Sequence, residues 1–437
     1  MNTAYKKIQK QISFTALYKI VMLVLNFLLI ALLLDYLGQE HFGIYIALTS
    51  LFSWMFMFDL GIAKGMRNFV TLAISNTNLK EAGEYVSTAY IAILILTLAV
   101  GAIIISALPL LDLQAFFNID MENRVLQNIF FVLILAFFLK FYFSTVDQLN
   151  YATHQSQNVA LNGLLVAGCN LAGIGLLRKL DHTGTLIYAI AVFSLSIVLP
   201  YLYATFRFFY KRKALIPSIS NFSRNALGDV FDKGLKILFI QIGFLLIIGI
   251  DRLILLKYGN AVEVTKYEII YKVMSIVIVP VSIVLAPLWS AFTDAYARND
   301  LVWIKSVFNK FYLMMVGLLA AVIVLAFLFN TITSVWLTSF PYVEFFVILM
   351  MGILILELVW STFHTDFLLG IHRLSYIIGM VALGLLFKFG FLYFMLTSEG
   401  VLTISAVIIS SVLAYCLYDI SVPFYIKRLL LQKEQGE

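Results

Sequence analysis

Lys140, Ser144 and Asp147 stand at helical spacing within one long apolar run, which places an ammonium, a hydroxyl and a carboxylate on a single face. A charge among apolar helices is costly unless paired or hydrated. This stripe is therefore expected to face a water-filled path where Lys140 attracts an anionic solute, or else to hold Lys140 in a static ion pair. No acidic residue precedes Lys140 by one turn. A second polar face carries Glu357, Ser361, His364 and Thr365, and Lys388 lies at similar depth in the next run. A carboxylate so placed suits coupling to a proton or sodium ion, and the ammonium suits an anion. The plainer reading pairs Glu357 with Lys388 between neighbouring helices. His364, nearer one end of its run, is expected to be solvated or to relay protons.

Asp251 and Arg252 are followed by Lys266, Glu268 and Lys272, and Arg252 shares a helix face with Gln241. Arg252 and Lys272 would suit a phosphorylated ligand, or the group would form interfacial ion pairs. Asp251 would be a ligand for a coupling ion or the partner of a nearby cation. Asn158, Asn162, Cys169 and Gly173 share one face, and Lys19 and Asn26 another. Such amides suit sugar hydroxyls and equally suit bonds between helices.

The elements that hold these groups are membrane spans. Of 437 residues, 62% are hydrophobic and 12% charged, with a mean hydropathy of +0.97, whereas soluble domains carry about 25% charge. Apolar runs able to cross about 30 Å of hydrocarbon as helices fall at roughly 12 to 37, 42 to 62, 84 to 108, 126 to 149, 157 to 177 and 184 to 209. The second half repeats the count at roughly 234 to 257, 265 to 291, 303 to 329, 342 to 368, 374 to 396 and 401 to 426. The first run is too long for a signal-peptide core and lacks a small-residue cleavage site, so it reads as a span. Pro280 and Pro287 should kink the eighth run. The division is an N-terminal six-helix lobe over 1–209, a basic linker over 210–230 and a C-terminal six-helix lobe over 231–437.

The net charge of +6 is a topology signal rather than a nucleic-acid signature, because the cations sit in short loops. Lys6, Lys7 and Lys10, then Lys64, Arg67 and Lys80, then Arg207, Lys211, Arg212, Lys213 and Arg224 fall on one side of the membrane. So do Arg298, Lys305, Lys310, Arg373, Lys427, Arg428 and Lys433, which puts both termini in the cytoplasm. The opposite loops are poor in cations, with Arg178 and Lys179 beside Asp181 as the dissenting case. Cys169 and Cys416 both lie in apolar stretches and can build neither a disulfide framework nor a zinc site. The turn from Tyr36 to Tyr45 is echoed by Lys257-Tyr258-Gly259 followed by Tyr267-Glu268-Ile269, as expected of a parallel repeat with a cavity between its lobes.

Gly38-Gln39-Glu40-His41-Phe42-Gly43-Ile44-Tyr45, then Trp54, Asp59-Leu60-Gly61-Ile62 and Arg67-Asn68, resemble the Wzx-type O-antigen flippases of the multidrug/oligosaccharidyl-lipid/polysaccharide exporter superfamily. Pro287-Leu288-Trp289-Ser290-Ala291-Phe292, Asp294-Ala295-Tyr296-Ala297-Arg298 and Trp303-Ile304-Lys305 extend the resemblance, which runs over most of the chain. It implies an all-α integral membrane protein of about twelve helices in two six-helix lobes. It also implies that undecaprenyl-pyrophosphate-linked oligosaccharide is flipped across a bacterial inner membrane by alternating access. Expected partners are that lipid-linked cargo, a coupling proton or sodium ion, membrane lipids, and the polysaccharide polymerase and chain-length proteins.

Three functions compete. The flippase is favoured by mid-span cations in both halves, which suit an anionic cargo. A drug or metabolite antiporter of the same superfamily would need a compact pocket with carboxylates. A membrane polysaccharide polymerase or ligase would need a large extracytoplasmic loop bearing catalytic groups, and those loops are short. The expectation is a non-enzyme without cofactor. No Walker-type phosphate loop occurs, so an ion gradient or membrane potential is the expected drive.

Overall fold

Helices are forced on this chain by hydrocarbon, because a backbone without water must bond to itself. The computed structural model describes residues 2–55, 62–117, 119–153, 155–180, 184–228, 242–285, 288, 292, 295–296, 298–337, 340–371 and 373–435, and these are helical with short turns. The chain divides into two compact units, Met1–Leu238 and Phe239–Glu437.

Unit 1 begins with α1 (Asn2–Met55), whose helical path breaks at Gly38, φ 74° and ψ 173°. That backbone conformation is open essentially to glycine alone, so the break falls where the sequence separates spans one and two. Then come α2 (Ile62–Ser75), α3 (Leu79–Ala107), the short α4 (Leu113–Phe117), α5 (Asn123–Ser144), α6 (Val146–Ala152), α7 (Ser156–Leu180) and α8 (Leu186–Lys211). Asn78 caps α3 by accepting from Glu81 N at 3.2 Å, and its amide reaches back to Glu81 Oε2 at 2.9 Å. Such a cap stabilises by about 1 kcal/mol. The basic segment after α8 is laced to α3. Ser218 N donates to Ser87 Oγ and Ser223 N to Thr88 Oγ1, at 3.1 and 3.0 Å.

In unit 2 the described chain runs from 242 into a wide π turn, Leu245–Gly249, and continues as α9 (Asp251–Tyr258), α10 (Ala261–Met274), α11 (Ile278–Leu285), α12 (Leu301–Trp336), α13 (Phe345–Gly370), α14 (Leu374–Glu399) and α15 (Ile404–Gln435). The expected kink at Pro280 takes the form of a 3₁₀ turn, Ser275–Val277, between α10 and α11. Pro280 then sits in the first turn of α11, where a missing N–H has no intrahelical partner to lose. Asn330 pins the turn between α12 and α13 by donating to Val343 O and accepting from Val343 N, both at 3.0 Å.

Among the described residues, nine helices are long and apolar enough to cross a membrane. With the arms of α1 taken separately, and with 242–258 and 261–285 as a further pair, the path is that of twelve spans. Packing order repeats. In unit 1, α5 and α7 both pack on α8 and α3 packs on α5; in unit 2, α13 and α14 both pack on α15 and α12 packs on α13. Equivalent helices thus meet in the same sequence order, as a parallel repeat requires. Their outer faces are apolar and bare: Leu98, Leu313, Leu386 and Phe424 are each more than 60% exposed, as lipid-facing side chains are.

Candidate functional site

The stripe on α5 and α6 lies in a polar cluster built wholly within unit 1. Asp147, on α6, is clasped from two helices: Asn162 Nδ2 of α7 donates to Oδ1 at 2.8 Å and Tyr201 OH of α8 donates to Oδ2 at 3.0 Å. Lys140 Nζ stands 5.8 Å from the centre of the Tyr201 ring, within range of a cation–π contact, and feels the charge of Asp147. Lys140 and Asp147 are both half-buried. Ser144, half-buried like the other two, donates to Phe141 O at 3.2 Å in its own helix, next to the junction of α5 and α6. Thr205 Oγ1 closes the wall by donating to Phe143 O at 3.0 Å.

Two polar clusters occupy unit 2. In the first, Lys388 Nζ donates to Asp251 Oδ1, to Ile247 O in the π turn and, at 2.8 Å, to Ser411 Oγ. Tyr267 OH donates to Asp251 Oδ2 at 3.0 Å, and the Ser411 hydroxyl lies within reach of that same oxygen. Lys388 and Asp251 have no exposed side-chain surface. The anticipated pairing of Glu357 with Lys388 is therefore not formed; α14 turns its lysine toward α9, where the Asp251 carboxylate, a π-turn carbonyl and the Ser411 hydroxyl take up the three ammonium donors. Beside it, Arg252 bonds Glu268 Oε2 through Nε at 2.8 Å and Nη2 at 2.7 Å and lies over the Tyr267 and Tyr271 rings. Lys272 reaches the same glutamate at 3.8 Å and stays about a third exposed.

The second cluster joins α13 to α15. Asp419 Oδ1 accepts from Ser361 Oγ at 2.7 Å, and Trp360 Nε1 donates to Asp419 O at 3.1 Å. Glu357 faces the same place closely enough for the two carboxyls to act on each other electrostatically. Among the described residues, Glu357 Oε2 and Asp419 Oδ2 are buried without a hydrogen-bond partner. Two carboxylates so placed repel, and a proton or monovalent cation between them removes the repulsion and satisfies the orphan oxygens.

Other expectations land differently. His364 is not solvated: it is fully buried, its Nδ1 lies 2.8 Å from Trp360 O, and rings of Phe308, Phe311 and Phe363 surround it. Asn158 and Asn26 bond within the protein, to Asn150 and Gln155 and to Met22 O respectively. Gln241, Asp59-Leu60-Gly61 and most of the stretch from Pro287 to Ala297 lie outside the described residues. Sequence reading missed Asp419 and Tyr201. Asp419 was open to the rule that flagged Glu357, being a carboxylate inside an apolar run. Tyr201 carried no such signal among so many aromatic residues.

No family model matches the chain. A solved inward-facing multidrug-resistance transporter of the MATE family, in the MOP superfamily, superposes with a TM-score of 0.78 at 15% identity, covering 95% of each chain. The chain has the MATE transporter fold. A MOP-superfamily transporter from Pyrococcus furiosus, described as having a binding pocket of reverse polarity, superposes with a TM-score of 0.68 at 14% identity, over 97% of this chain and 96% of that one. In sequence, the chain is 21% identical over 293 residues to the "Putative O-antigen transporter" of Salmonella typhi, spanning 66% of this chain and 65% of that relative. The resemblance read from the motifs thus has counterparts in both sequence and fold.

Proposed function

We propose that this multi-pass membrane protein is a flippase that moves undecaprenyl-pyrophosphate-linked oligosaccharide, an O-antigen repeat or similar unit, from the cytoplasmic to the periplasmic leaflet of the inner membrane. The observation that carries the reading is the Lys140 cluster. A pyrophosphate and its sugars must cross a low-dielectric layer, and a fixed ammonium beside amide and phenol groups replaces part of their lost hydration. Asn162 and Tyr201 hold Asp147 from two sides, so the Lys140 ammonium stands in a polar setting of amide, phenol and carboxylate groups that a visiting anion can join. Lys272 is a second candidate contact because it stays partly exposed, whereas the charges of Arg252 and Lys388 are engaged by Glu268 and Asp251. Glu357, with Asp419, is the site for the coupling proton or sodium ion. Asp251, saturated by Lys388, Tyr267 and Ser411, serves that role less well. The flippase would supply polymerase and chain-length proteins with substrate.

The test replaces Lys140 in a strain lacking its own copy and measures surface polysaccharide together with protein level. Lys140→Arg is expected to keep much of the output, Lys140→Ala to lose most, and Lys140→Glu to lose all, with abundance near normal. Full output from Lys140→Glu overturns the reading. A second reading, a cation-coupled drug or metabolite antiporter, is favoured by one observation: an apolar cavity of about 410 Å³ in unit 2 between α10, α11 and α13, with Tyr271 and Asp366 on its wall. Drug susceptibility that rises with Asp366→Asn while polysaccharide stays constant would select it.

A further inference from the structure

We infer that unit 1 holds a second polar pocket, adjoining the Lys140 cluster at Asn162, that binds the head group of an anionic membrane lipid bearing a phosphate and a free hydroxyl, of the phosphatidylglycerol type. The cavity, about 220 Å³, lies where the turn between α6 and α7 meets the end of α8. Its chemistry is one-sided: Arg207, Lys211 and Arg212 line it together with side-chain amides, and among the described residues no carboxylate does. Among the described residues none of the three cations forms an ion pair, and Arg212 is held in place by stacking 4.5 Å over the Phe208 ring. Arg207 and Lys211 are one turn apart on α8, so they converge on one spot.

The opposite wall is preformed. Gln155 N donates to Asn150 O at 2.7 Å, and Asn158 Nδ2 bridges Asn150 Oδ1 and Gln155 Oε1 at 3.1 and 2.9 Å, which locks the turn that starts α7. Gln157 and Asn158, in the first turn of this 25-residue helix, line the cavity, so the positive end of its dipole adds to the three cations. Gln157 Oε1 is buried with no hydrogen-bond partner among the described residues. An orphan acceptor beside an anion site calls for a ligand that carries a donor as well as a phosphate, which a glycerol head group does. Asp147, the carboxylate next to this wall, is screened by the Asn162 amide it binds.

A lipid rather than a soluble anion is indicated by the rim. Tyr203 lines the pocket and belongs to a stripe with Leu199, Phe206 and Tyr210 along α8, each more than half exposed. Acyl chains are the natural neighbours of that stripe, and a head group above it reaches the cations directly. The proposal does not rest on the nature of the transported cargo.

Native mass spectrometry of the detergent-purified full chain, titrated with phosphatidylglycerol and phosphatidylcholine, tests it. Wild type is expected to retain phosphatidylglycerol preferentially, and R207Q/K211Q/R212Q to weaken that binding on the order of tenfold or more, since each cation near the surface adds attraction toward an anionic lipid. The same number of cations removed elsewhere, K427Q/R428Q/K433Q, is expected to leave it intact. Should the first triple variant fail to fold, a photo-crosslinker at Tyr203 in the otherwise unchanged chain, in vesicles of either lipid, is expected to label phosphatidylglycerol over phosphatidylcholine. Unchanged preference in the triple variant, or equal labelling of both lipids, overturns the proposal. Displacement of the lipid by equimolar inorganic pyrophosphate overturns it too, by showing a site for soluble anions.

Discussion

Two orphan oxygens, on Glu357 and Asp419, set the sharpest residue-level expectation. Each carboxyl needs a proton or cation that the other cannot supply, so neutralising either one removes the reason to take up an ion. Glu357→Gln and Asp419→Asn are each expected to insert and fold normally and to lose gradient-driven transport. Assays of transport against pH and sodium check this, and normal transport by both variants across the range would leave the pair a structural contact. The neighbouring Lys388–Asp251 pair predicts the reverse pattern. Both ions are fully buried, so removing one partner strands a charge at a cost of about 3–5 kcal/mol, while replacing both with apolar groups is close to neutral. Lys388→Met should therefore sharply lower abundance and thermal stability in detergent, and adding Asp251→Leu should restore much of both. A double variant as unstable as the single one would mean that the bonds from Tyr267 and Ser411 to Asp251, and not the ion pair, carry its structural weight. The contrast explains what could be read beforehand. Mid-span charges announce themselves one at a time, so Lys140, Glu357 and Lys388 were visible in the sequence. Which of them meet depends on helix rotation, which an apolar run does not encode; hence Lys388 found Asp251, and Asp419 went unnoticed opposite Glu357.

At the scale of elements, the spans were legible because hydropathy and length set them directly, and the errors lie at their ends. The ninth apolar run was expected to stop near 329, yet α12 continues to Trp336; the twelfth was expected to stop near 426, yet α15 continues to Gln435. A helix leaving hydrocarbon has no reason to unwind, since its backbone bonds remain good in water. The break in α1 shows the opposite case, a stop imposed by one residue. Gly38 has φ 74° and ψ 173°, and a methyl group there would touch nothing within 4 Å, so the cost of a side chain is purely one of backbone strain, about 1–3 kcal/mol. Gly38→Ala is expected to lower the unfolding midpoint in detergent. Gly317→Ala, inside α12 with equally open space, is expected to leave it unchanged or raise it, because there alanine only removes backbone freedom from the unfolded chain. Equal effects of the two changes would mean that Gly38 is not held in its left-handed conformation in the membrane.

For the whole molecule, orientation is a question of where cations stand, and the structure clarifies the one loop that disagreed. Arg178, at the end of α7, pairs with Asp35 of α1 at 2.5 Å. A cation neutralised by a local carboxylate weighs less against translocation than its count suggests, and Lys179 lies next to Asp181 in sequence. On the other side the cations are clustered, above all in the segment from Arg207 to Arg224, which is laced to α3 and in which no described cation forms an ion pair with a described residue. Moving this segment outward would carry five cations across the hydrocarbon, against one dissenting loop whose charge is largely compensated. We therefore expect residues 210 to 230 and both termini to be cytoplasmic and the turn at Glu399 to be periplasmic. Single cysteines placed at Ser220 and at Glu399, in a chain cleared of Cys169 and Cys416, separate the two orientations by labelling with an impermeant maleimide in intact cells. Glu399→Cys should label without disruption of the membrane and Ser220→Cys only after it. The reverse result would turn the protein over, and with it the leaflet that the Arg207 pocket faces and the direction in which Lys140 meets its cargo. Asp35→Asn supplies a second test of the same reasoning: it frees Arg178 and should produce a minor population with inverted labelling, whereas Arg178→Gln should not.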